Sequence, residues 1–169
     1  MLITPEYRAL QKQLHAENEK YGISGKKYAD IVRQISKWGR HSILDYGAGK
    51  CTLEKALGPA YRVTNYDPCI DGLDATPEPH PVVSCTDVME HIELQFVDDV
   101  LKDLRRLTEK VALLVINTGP ARKTLADGRN AHICQQPFEW WKERIEAVGF
   151  RITDHFEEES VNAFGVVVV

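Results

Sequence analysis

The stretch ILDYGAGKCTLEKAL, residues 43–57, joins an apolar run to a carboxylate and two glycines. The apolar residues lead to Asp45, and Gly47 and Gly49 follow one residue apart. Two such glycines let the backbone turn tightly after a strand and approach a ligand closely. A dinucleotide fingerprint, G-x-G-x-x-G, would need a third glycine where this chain has Thr52. The stretch therefore predicts a nucleotide-type site that departs from the dinucleotide pattern.

The composition is that of a single globular domain. The chain has 169 residues, 43% of them hydrophobic and 27% charged, with a net charge of −4. The negative charge disfavours a protein that coats nucleic acid or anionic membrane, although a local basic patch can still bind nucleic acid. No apolar run approaches about 18 residues, and the four cysteines form no C-x-x-C pair. We therefore expect a cytoplasmic protein with reduced thiols and no membrane span.

Strand-like and helix-like segments alternate along the chain. The predicted strands are residues 42–47, 61–67, 81–87, 111–118, 150–156 and 163–169. The predicted helices are residues 5–19, 24–39, 52–57, 97–107 and 137–149. Alternation of this kind implies a parallel α/β sheet, and the run 111–118, apolar on both faces, suits its centre.

The end of the chain breaks the alternation. Its last two predicted strands are joined by EEESVN, which is too short to contain a helix. Such a connection requires an antiparallel hairpin. The expected fold is therefore α/β, a Rossmann-like, doubly wound, mostly parallel sheet with an antiparallel carboxyl-terminal strand.

The amino-terminal segment precedes the first predicted strand. We interpret residues 1–169 as one domain in which residues 1–39 form a helical cap. Ser24 could cap the helix of residues 24–39, and Gly39 could end it. The segment either packs as a surface helix or closes over a ligand as a lid. In the lid interpretation its candidate contacts are Tyr7, His15, Tyr21 and Lys26.

Three acidic residues indicate the kind of ligand. Asp45 would repel the pyrophosphate of a dinucleotide, but it suits a cation. S-Adenosylmethionine (SAM) carries both an ammonium and a sulfonium. Asp67 ends the next predicted strand, where a carboxylate can accept hydrogen bonds from ribose hydroxyls. Asp74, in the segment LDA, offers an acceptor for an adenine amino group. A nicotinamide dinucleotide is the alternative, disfavoured by Thr52 and by the terminal hairpin.

The segments LDYGAGKCTLEKAL, NYDP, LDA and CTDVMEHI together resemble the SAM-binding motifs of class I SAM-dependent methyltransferases. The resemblance covers roughly residues 40–169. It implies that Asp45 orients the methionyl end of SAM, that Asp67 holds the ribose, and that the end of the strand of residues 81–87, which corresponds to the family's fourth strand, touches the cofactor through its backbone. The implied cofactor residues are Asp45, Gly47, Gly49, Asp67, Asp74, Ala75, Cys85 and Thr86.

Two departures from the family pattern are visible. Cys51 stands where the family often has glycine. The segment between Asp67 and Pro81 is short, so a helix and a strand of the full fold are expected to be reduced to a loop.

The segment TDVMEHIE places two carboxylates and an imidazole after the strand of residues 81–87. In a helical turn Asp87, Glu90 and His91 would share one face. The D-x-x-E-H pattern is similar to the E-x-x-E-H of metal-assisted O-methyltransferases, which include ubiquinone-pathway enzymes and enzymes that methylate the 3′-terminal ribose of small RNAs. By that resemblance His132 completes a divalent-metal site with these three residues. The alternative is a metal-free site in which His91 and Glu90 are catalytic.

The long loop 119–137 is locally basic. Arg122, Lys123, Arg129 and His132 suit an acceptor that carries a carboxylate or a phosphate. The sequence thus predicts a SAM-dependent methyltransferase that acts on an O or N atom of a small-molecule or terminal acceptor. The alternatives are a non-catalytic SAM-binding partner subunit and a methyltransferase that modifies nucleic acid.

Overall fold

The computed structural model describes residues 2–37, 41–158 and 160–168. Its helices are α1 Pro5–Glu17, α2 Ala29–Ile35, α3 Thr52–Leu57, α4 Val97–Leu107 and α5 Phe138–Ala147. Its strands are β1 Ser42–Tyr46, β2 Arg62–Tyr66, β3 His80–Thr86, β4 Thr108–Asn117, β5 Phe150–Glu158 and β6 Val161–Val168. Short 3₁₀ turns cover Ser24–Tyr28, Met89–His91 and Leu94–Phe96. Among these helices, none combines the length and the apolar character that crossing a bilayer requires.

The strands form one sheet in the order β2-β1-β3-β4-β6-β5. β1 lies parallel to both β2 and β3, and β3 lies parallel to β4. β6 runs antiparallel to β4 on one side and to β5 on the other. The tight connection from β5 to β6 leaves room only for a hairpin. The expected mostly parallel sheet with one reversed carboxyl-terminal strand is confirmed.

Helices cover both faces of the sheet. α4 and α5 pack on one face, in a core that includes Leu104, Leu107 and Trp141. α2 and α3 pack on the other, around Val32 and Leu53. The buried positions of α4 are the predicted stripe: Val97, Val100, Leu101, Leu104 and Leu107. Burying each leucine of that stripe contributes about 1.5–3 kcal/mol. The two cores fix the sheet and hence the positions at which its strands end.

The predicted helix over residues 24–39 is divided differently in the structure. A 3₁₀ turn comes first and α2 follows it, while Trp38 and Gly39 lie outside the described residues. Ser24 makes no capping hydrogen bond. The Thr52 hydroxyl takes that role, since it accepts from the Lys26 amide at 3.2 Å and donates to the Ile23 carbonyl at 3.0 Å. This contact with α3 accounts for the tighter first turn.

The connection from β2 to β3 contains turns in place of a helix and a strand. Asp67 N donates to Leu73 O at 2.9 Å, and Leu73 N donates to Ile70 O at 3.0 Å. These bonds close residues 67–73 into a compact loop that begins where β2 ends. The expected shortening of this segment is confirmed.

Candidate active site

A cavity of about 730 Å³ opens where the parallel strands end. One side is built by residues at or just after the ends of β1 to β4, namely residues 47–49, 67–69, 87–92 and 117. We call this side the strand-end wall. The other side is built by the amino-terminal segment, residues 3–28, and by the loop after β4, residues 119–132, and we call it the cover. The cavity is thus at the carboxyl edge of the sheet, where ligands of such folds bind.

The glycine turn after β1 shapes the floor of the cavity. The amides of Gly47 and Ala48 both donate to Tyr66 O, at 2.7 and 2.9 Å. Gly49 has a left-handed backbone, φ 52°, and a Cβ there would overlap the backbone of Gly22 in the cover. Lys50 N donates to Gly22 O at 2.8 Å, so cover and turn meet backbone to backbone.

Cys51 also has a left-handed backbone, with φ 54°. Glycine adopts this conformation freely, whereas a residue with a Cβ does so at an energetic cost. The structure therefore explains why glycine would suit this position. The turn keeps its shape with cysteine in place.

Two buried carboxylates lie beneath the turn. Asp67 lines the cavity, and its two oxygens accept from Gly49 N at 3.0 Å and from Cys69 N at 2.9 Å. Asp45 is buried beside it, and burial, then Asp67 and Glu54, raise the pKa of Asp45 to about 7. Within the described residues, no basic group lies within 4.0 Å of either carboxylate. The pair therefore favours a cationic ligand.

The remaining predicted cofactor residues lie elsewhere. Asp74 and Ala75 are exposed, and Asp74 forms an ion pair with Arg8 of α1 at 2.7 Å. Asp74 faces a separate groove between α1 and the 66–74 loop. Cys85 and Thr86 are buried at the end of β3, Cys85 within the core. Of the eight predicted cofactor residues, the structure brings Gly47 and Asp67 to the cavity lining; Asp45 and Gly49 lie next to them but outside the lining, and these four residues also lie outside it.

A cluster of three side chains lies at the cavity's far end. Glu90, His91 and His132 each offer one ligand atom, and these atoms lie within 4.8 Å of one another. The sequence placed Asp87 on the same helical face, but its backbone is left-handed (φ 54°) and it precedes the 3₁₀ turn. Asp87 lines the cavity without joining the cluster, and Tyr28 donates to it at 3.4 Å.

Backbone carbonyls set the tautomers of both histidines. His91 Nδ1 lies 2.7 Å from Ala131 O, and His132 Nδ1 lies 2.6 Å from Gly119 O. Because a carbonyl only accepts, each Nδ1 must carry the proton, and each Nε2 is left with a lone pair. Burial, then His132, lower the pKa of His91 to about 3, so it is neutral near pH 7.

Glu90 is fully buried beside these imidazoles. No hydrogen bond of ordinary geometry reaches either carboxylate oxygen within the described residues, although the backbone amides of Glu90 and Asn117 are near enough to oppose the rise in its pKa. His132 Nε2 lies 4.0 Å from Glu90 Oε1. Burial, then Asp87, raise the pKa of Glu90. The atoms that face one another in the cluster, the two Nε2 atoms and the Glu90 oxygens, are thus all hydrogen-bond acceptors. A donor is present among them only when Glu90 is protonated.

The cover reaches His91 through a chain of buried polar groups. Gln11 Nε2 donates to the Tyr7 hydroxyl at 2.5 Å, and the Tyr21 hydroxyl donates to Gln11 Oε1 at 2.6 Å. The oxygen of Tyr21 lies 3.3 Å from His91 Nδ1. Tyr7, His15 and Tyr21 line the cavity as the lid interpretation expects, whereas Lys26 does not.

Sequence reasoning missed Gln11. Gln11 is a polar residue that is buried on α1, whereas most other polar residues of this helix are exposed. The only sign of this in the sequence is that Gln11 stands four residues after Tyr7, on the same helical face.

Structural comparison relates the chain to SAM-dependent methyltransferases. One match is the 1,6-didemethyltoxoflavin-N1-methyltransferase of Burkholderia thailandensis, solved with 1,6-didemethyltoxoflavin and S-adenosylhomocysteine. The alignment covers 100% of this chain and 92% of that enzyme, with a TM-score of 0.72 and 14% identity. A second match is the SAM-bound magnesium protoporphyrin IX methyltransferase of Synechocystis, with 87% of this chain and 81% of that enzyme aligned (TM-score 0.60, 15% identity). A further match spans 94% of this chain and 98% of a SAM-dependent methyltransferase of Aquifex aeolicus (TM-score 0.61, 14% identity).

Neither a family model nor a curated protein matches the sequence. The chain has the SAM-dependent methyltransferase fold.

Proposed function

We propose that the chain is a SAM-dependent methyltransferase that acts on an O or N atom of a small-molecule acceptor. The observation that carries this proposal is the buried, cation-free pair Asp45 and Asp67 beneath the glycine turn, in the fold of methyltransferases solved with SAM or S-adenosylhomocysteine. The cavity at this turn has room for a nucleoside and a second small molecule. We propose a cytoplasmic location for the enzyme.

The residues present fit SAM by charge and by shape. Asp67 uses one acceptor position on each oxygen for backbone amides, which leaves lone pairs for the ribose hydroxyls. Asp45, with its raised pKa, gains most from an adjacent positive group. At Gly47 a Cβ would overlap the Val88 side chain, so glycine at this position lets the turn pack against the next segment of the cavity wall. We keep Asp74 and Ala75 as candidate adenine contacts, and Cys85 and Thr86 as backbone contacts.

Bound SAM supplies an already activated methyl group. The chain then needs to align the acceptor, exclude water and take a proton. His91 Nε2 is the proton acceptor we propose, since the hydrogen bond to Ala131 O leaves its lone pair free; because the pKa of His91 is lowered, it must pass the proton on to Glu90, whose pKa is raised. Glu90 lies beside it and can hold the proton that the acceptor loses. The cover shields both groups from solvent.

A divalent metal is a second candidate for the same cluster. The unpartnered oxygens of Glu90 and the carbonyl-fixed tautomers of His91 and His132 are what a metal site requires of its ligands. An imidazole-rich set suits manganese, iron, cobalt or zinc better than magnesium. A metal there would lower the pKa of an acceptor oxygen. Asp87 lies outside the cluster, so it would become a ligand only if its backbone or side chain changed conformation.

Ligand-dependent thermal unfolding tests the cofactor. SAM and S-adenosylhomocysteine should raise the melting temperature, and NAD should not, since a ligand at one hundred times its Kd stabilises by about 2.7 kcal/mol. A shift with NAD alone would overturn the proposal. Methyl release to a pool of small acceptors then separates an enzyme from a SAM-binding subunit without activity, and an RNA pool tests nucleic-acid modification.

Chelation tests the metal. If a metal is required, EDTA should abolish methyl transfer while S-adenosylhomocysteine still stabilises the protein, and metal analysis should find one ion lost. Full activity in EDTA, with activity lost in His91→Ala, would show a metal-free base. His132→Ala distinguishes the two mechanisms further, since it removes a metal ligand but leaves His91 Nε2 in place.

A further inference from the structure

The two sides of the cavity carry opposite charges. The strand-end wall contributes the carboxylates of Asp67, Asp87 and Glu90. The cover contributes four basic side chains, which are exposed or partly buried. These four are Lys20, Lys27, Arg122 and Lys123, and we call them the basic rim. The chain as a whole has a net charge of −4, so the basic rim is a local concentration of positive charge on an acidic protein.

Lys123 is held in place at the centre of this rim. Its Nζ donates to Lys20 O at 3.1 Å and lies 5.2 Å from the ring centroid of Tyr21. Burial, then Lys27, lower the pKa of Lys123. The charge of Lys123 in turn acts on His91, so the rim lies within electrostatic reach of the proposed base. A partly buried ammonium beside another cation is costly unless an anion joins them.

The basic rim has no internal counter-charge. Among the residues that the structure describes, no carboxylate oxygen lies within 4.0 Å of a charged nitrogen of any of its four members. Arg129, on the same loop, differs because it pairs with Asp127 at 2.7 Å. Two separate parts of the chain, residues 20–27 and 122–123, bring the unpaired cations together at one cavity mouth.

We propose that the basic rim binds an anionic group, a carboxylate or a phosphate, on the methyl acceptor. This inference rests on the proposed function. The two sides of the cavity then select two ligands: the acidic wall takes the cationic cofactor, and the basic rim takes the anion of the acceptor. An acceptor anchored by its anion at Lys27 and Lys123 has its other end directed toward His91. Lys27 and Lys123 are thus specificity-determining residues for the acceptor.

Anion binding to the cofactor-loaded protein tests the proposal. Isothermal titration would use protein saturated with S-adenosylhomocysteine, with inorganic phosphate in one series and malonate in another, at constant chloride. Lys27→Gln and Lys123→Gln should each weaken the tighter-bound anion by about fivefold, the upper range for partly exposed ion pairs. Lys26→Gln is the matched control, because Lys26 is exposed and adjacent to Lys27 but outside the cavity lining. The tighter of the two anions identifies the acceptor's group.

Three results would overturn the proposal: no binding of either anion, equal weakening in Lys26→Gln and Lys27→Gln, or a short single-stranded RNA that binds tightly and depends on Lys27. The last would indicate nucleic acid instead of a small acceptor. Circular dichroism checks that each variant folds, and Lys123→Arg keeps the charge and should restore binding. If S-adenosylhomocysteine itself fails to bind, the proposed function fails, and titration of the ligand-free protein still reports on the rim.

Discussion

The two sides of the cavity are built by different means. The strand-end wall follows four hydrogen-bonded strands whose cores cover both faces of the sheet. The cover is attached at separate points by two exposed ion pairs, Arg8 with Asp74 and Lys12 with Asp71, and by hydrogen bonds such as those from Lys50 N to Gly22 O and from Thr4 to Glu93. Exposed ion pairs contribute little to stability because solvent screens them. The wall is therefore suited to fix reacting groups, and the cover to admit and select ligands.

The largest expected effect is at the wall. His91→Ala should lower kcat by about 10²–10⁴-fold, because it removes the proposed base. Tyr21→Phe removes a hydroxyl of the cover that contacts Gln11 and His91 without taking part in the proposed proton transfer, and should lower kcat by about tenfold or less. Methyl-transfer rates at saturating SAM measure both. Equal losses in the two variants would show that the cover takes part in the chemistry and would end the distinction.

The next effect compares two carboxylates. Asp67→Ala should weaken S-adenosylhomocysteine by roughly 10- to 100-fold, because charge-assisted hydrogen bonds to the ribose are lost. Asp74→Ala should change affinity by about fivefold at most, since Asp74 is exposed and paired with Arg8. Isothermal titration gives both values. A larger effect at Asp74 would show that Asp74 contacts the adenine. Since Asp74 is paired with Arg8 of α1, that contact would require α1 to move when the cofactor binds.

Protonation of Asp45 gives a pH-dependent effect. Its pKa is raised to about 7, so its carboxyl takes up a proton as the pH falls through 7 in the ligand-free protein. The ammonium of S-adenosylhomocysteine prefers the ionised form of Asp45, so affinity for this ligand should fall by up to about tenfold per pH unit below 7. Asp45→Asn should flatten the profile between pH 5.5 and 7.5. An unchanged slope in this variant would assign the dependence to another group.

The smallest effect is expected at the contacts that hold the cover. Arg8→Ala and Lys12→Ala should together raise the S-adenosylhomocysteine dissociation rate by about fivefold or less, since two exposed ion pairs are lost. Stopped-flow displacement measures this rate, with Arg33→Ala as a control, because Arg33 pairs with Asp30 away from the cavity. A rate identical to wild type would show that the ion pairs do not hold the cover closed.

The wall was largely predictable from the sequence, because its signals are local. The strand that ends at Tyr46, the turn at Gly47 and Gly49, and the stripe of α4 each follow from residue type and spacing over a few positions. The same holds for the reversed final strand, which follows from the shortness of one connection.

The cover was less predictable, because its structure depends on contacts between distant parts of the chain. Gln11 meets Tyr21 across 10 positions after α1 has ended, and Lys123 meets Lys20 across 103 positions. Nothing in residue spacing signals such meetings. Asp87 shows a second limit: its left-handed backbone removes it from the helical face that its spacing to Glu90 had indicated. The sequence named the carboxylates and histidines but not which of them would cluster.

The contact between Gly22 and Gly49 gives a way to recognise relatives of this chain. A Cβ at Gly49 would overlap the backbone of Gly22, and a Cβ at Gly22 would crowd both the His15 ring and the Gly49 backbone, so a side chain at either position would disturb the contact between cover and turn. Selection should then act on the two positions as a pair, and a lineage that loses one glycine should soon lose the other or rebuild its amino-terminal segment. Joint retention of both glycines in divergent sequences would mark the chains that share this closed arrangement, even where the rest of the cover has changed beyond alignment.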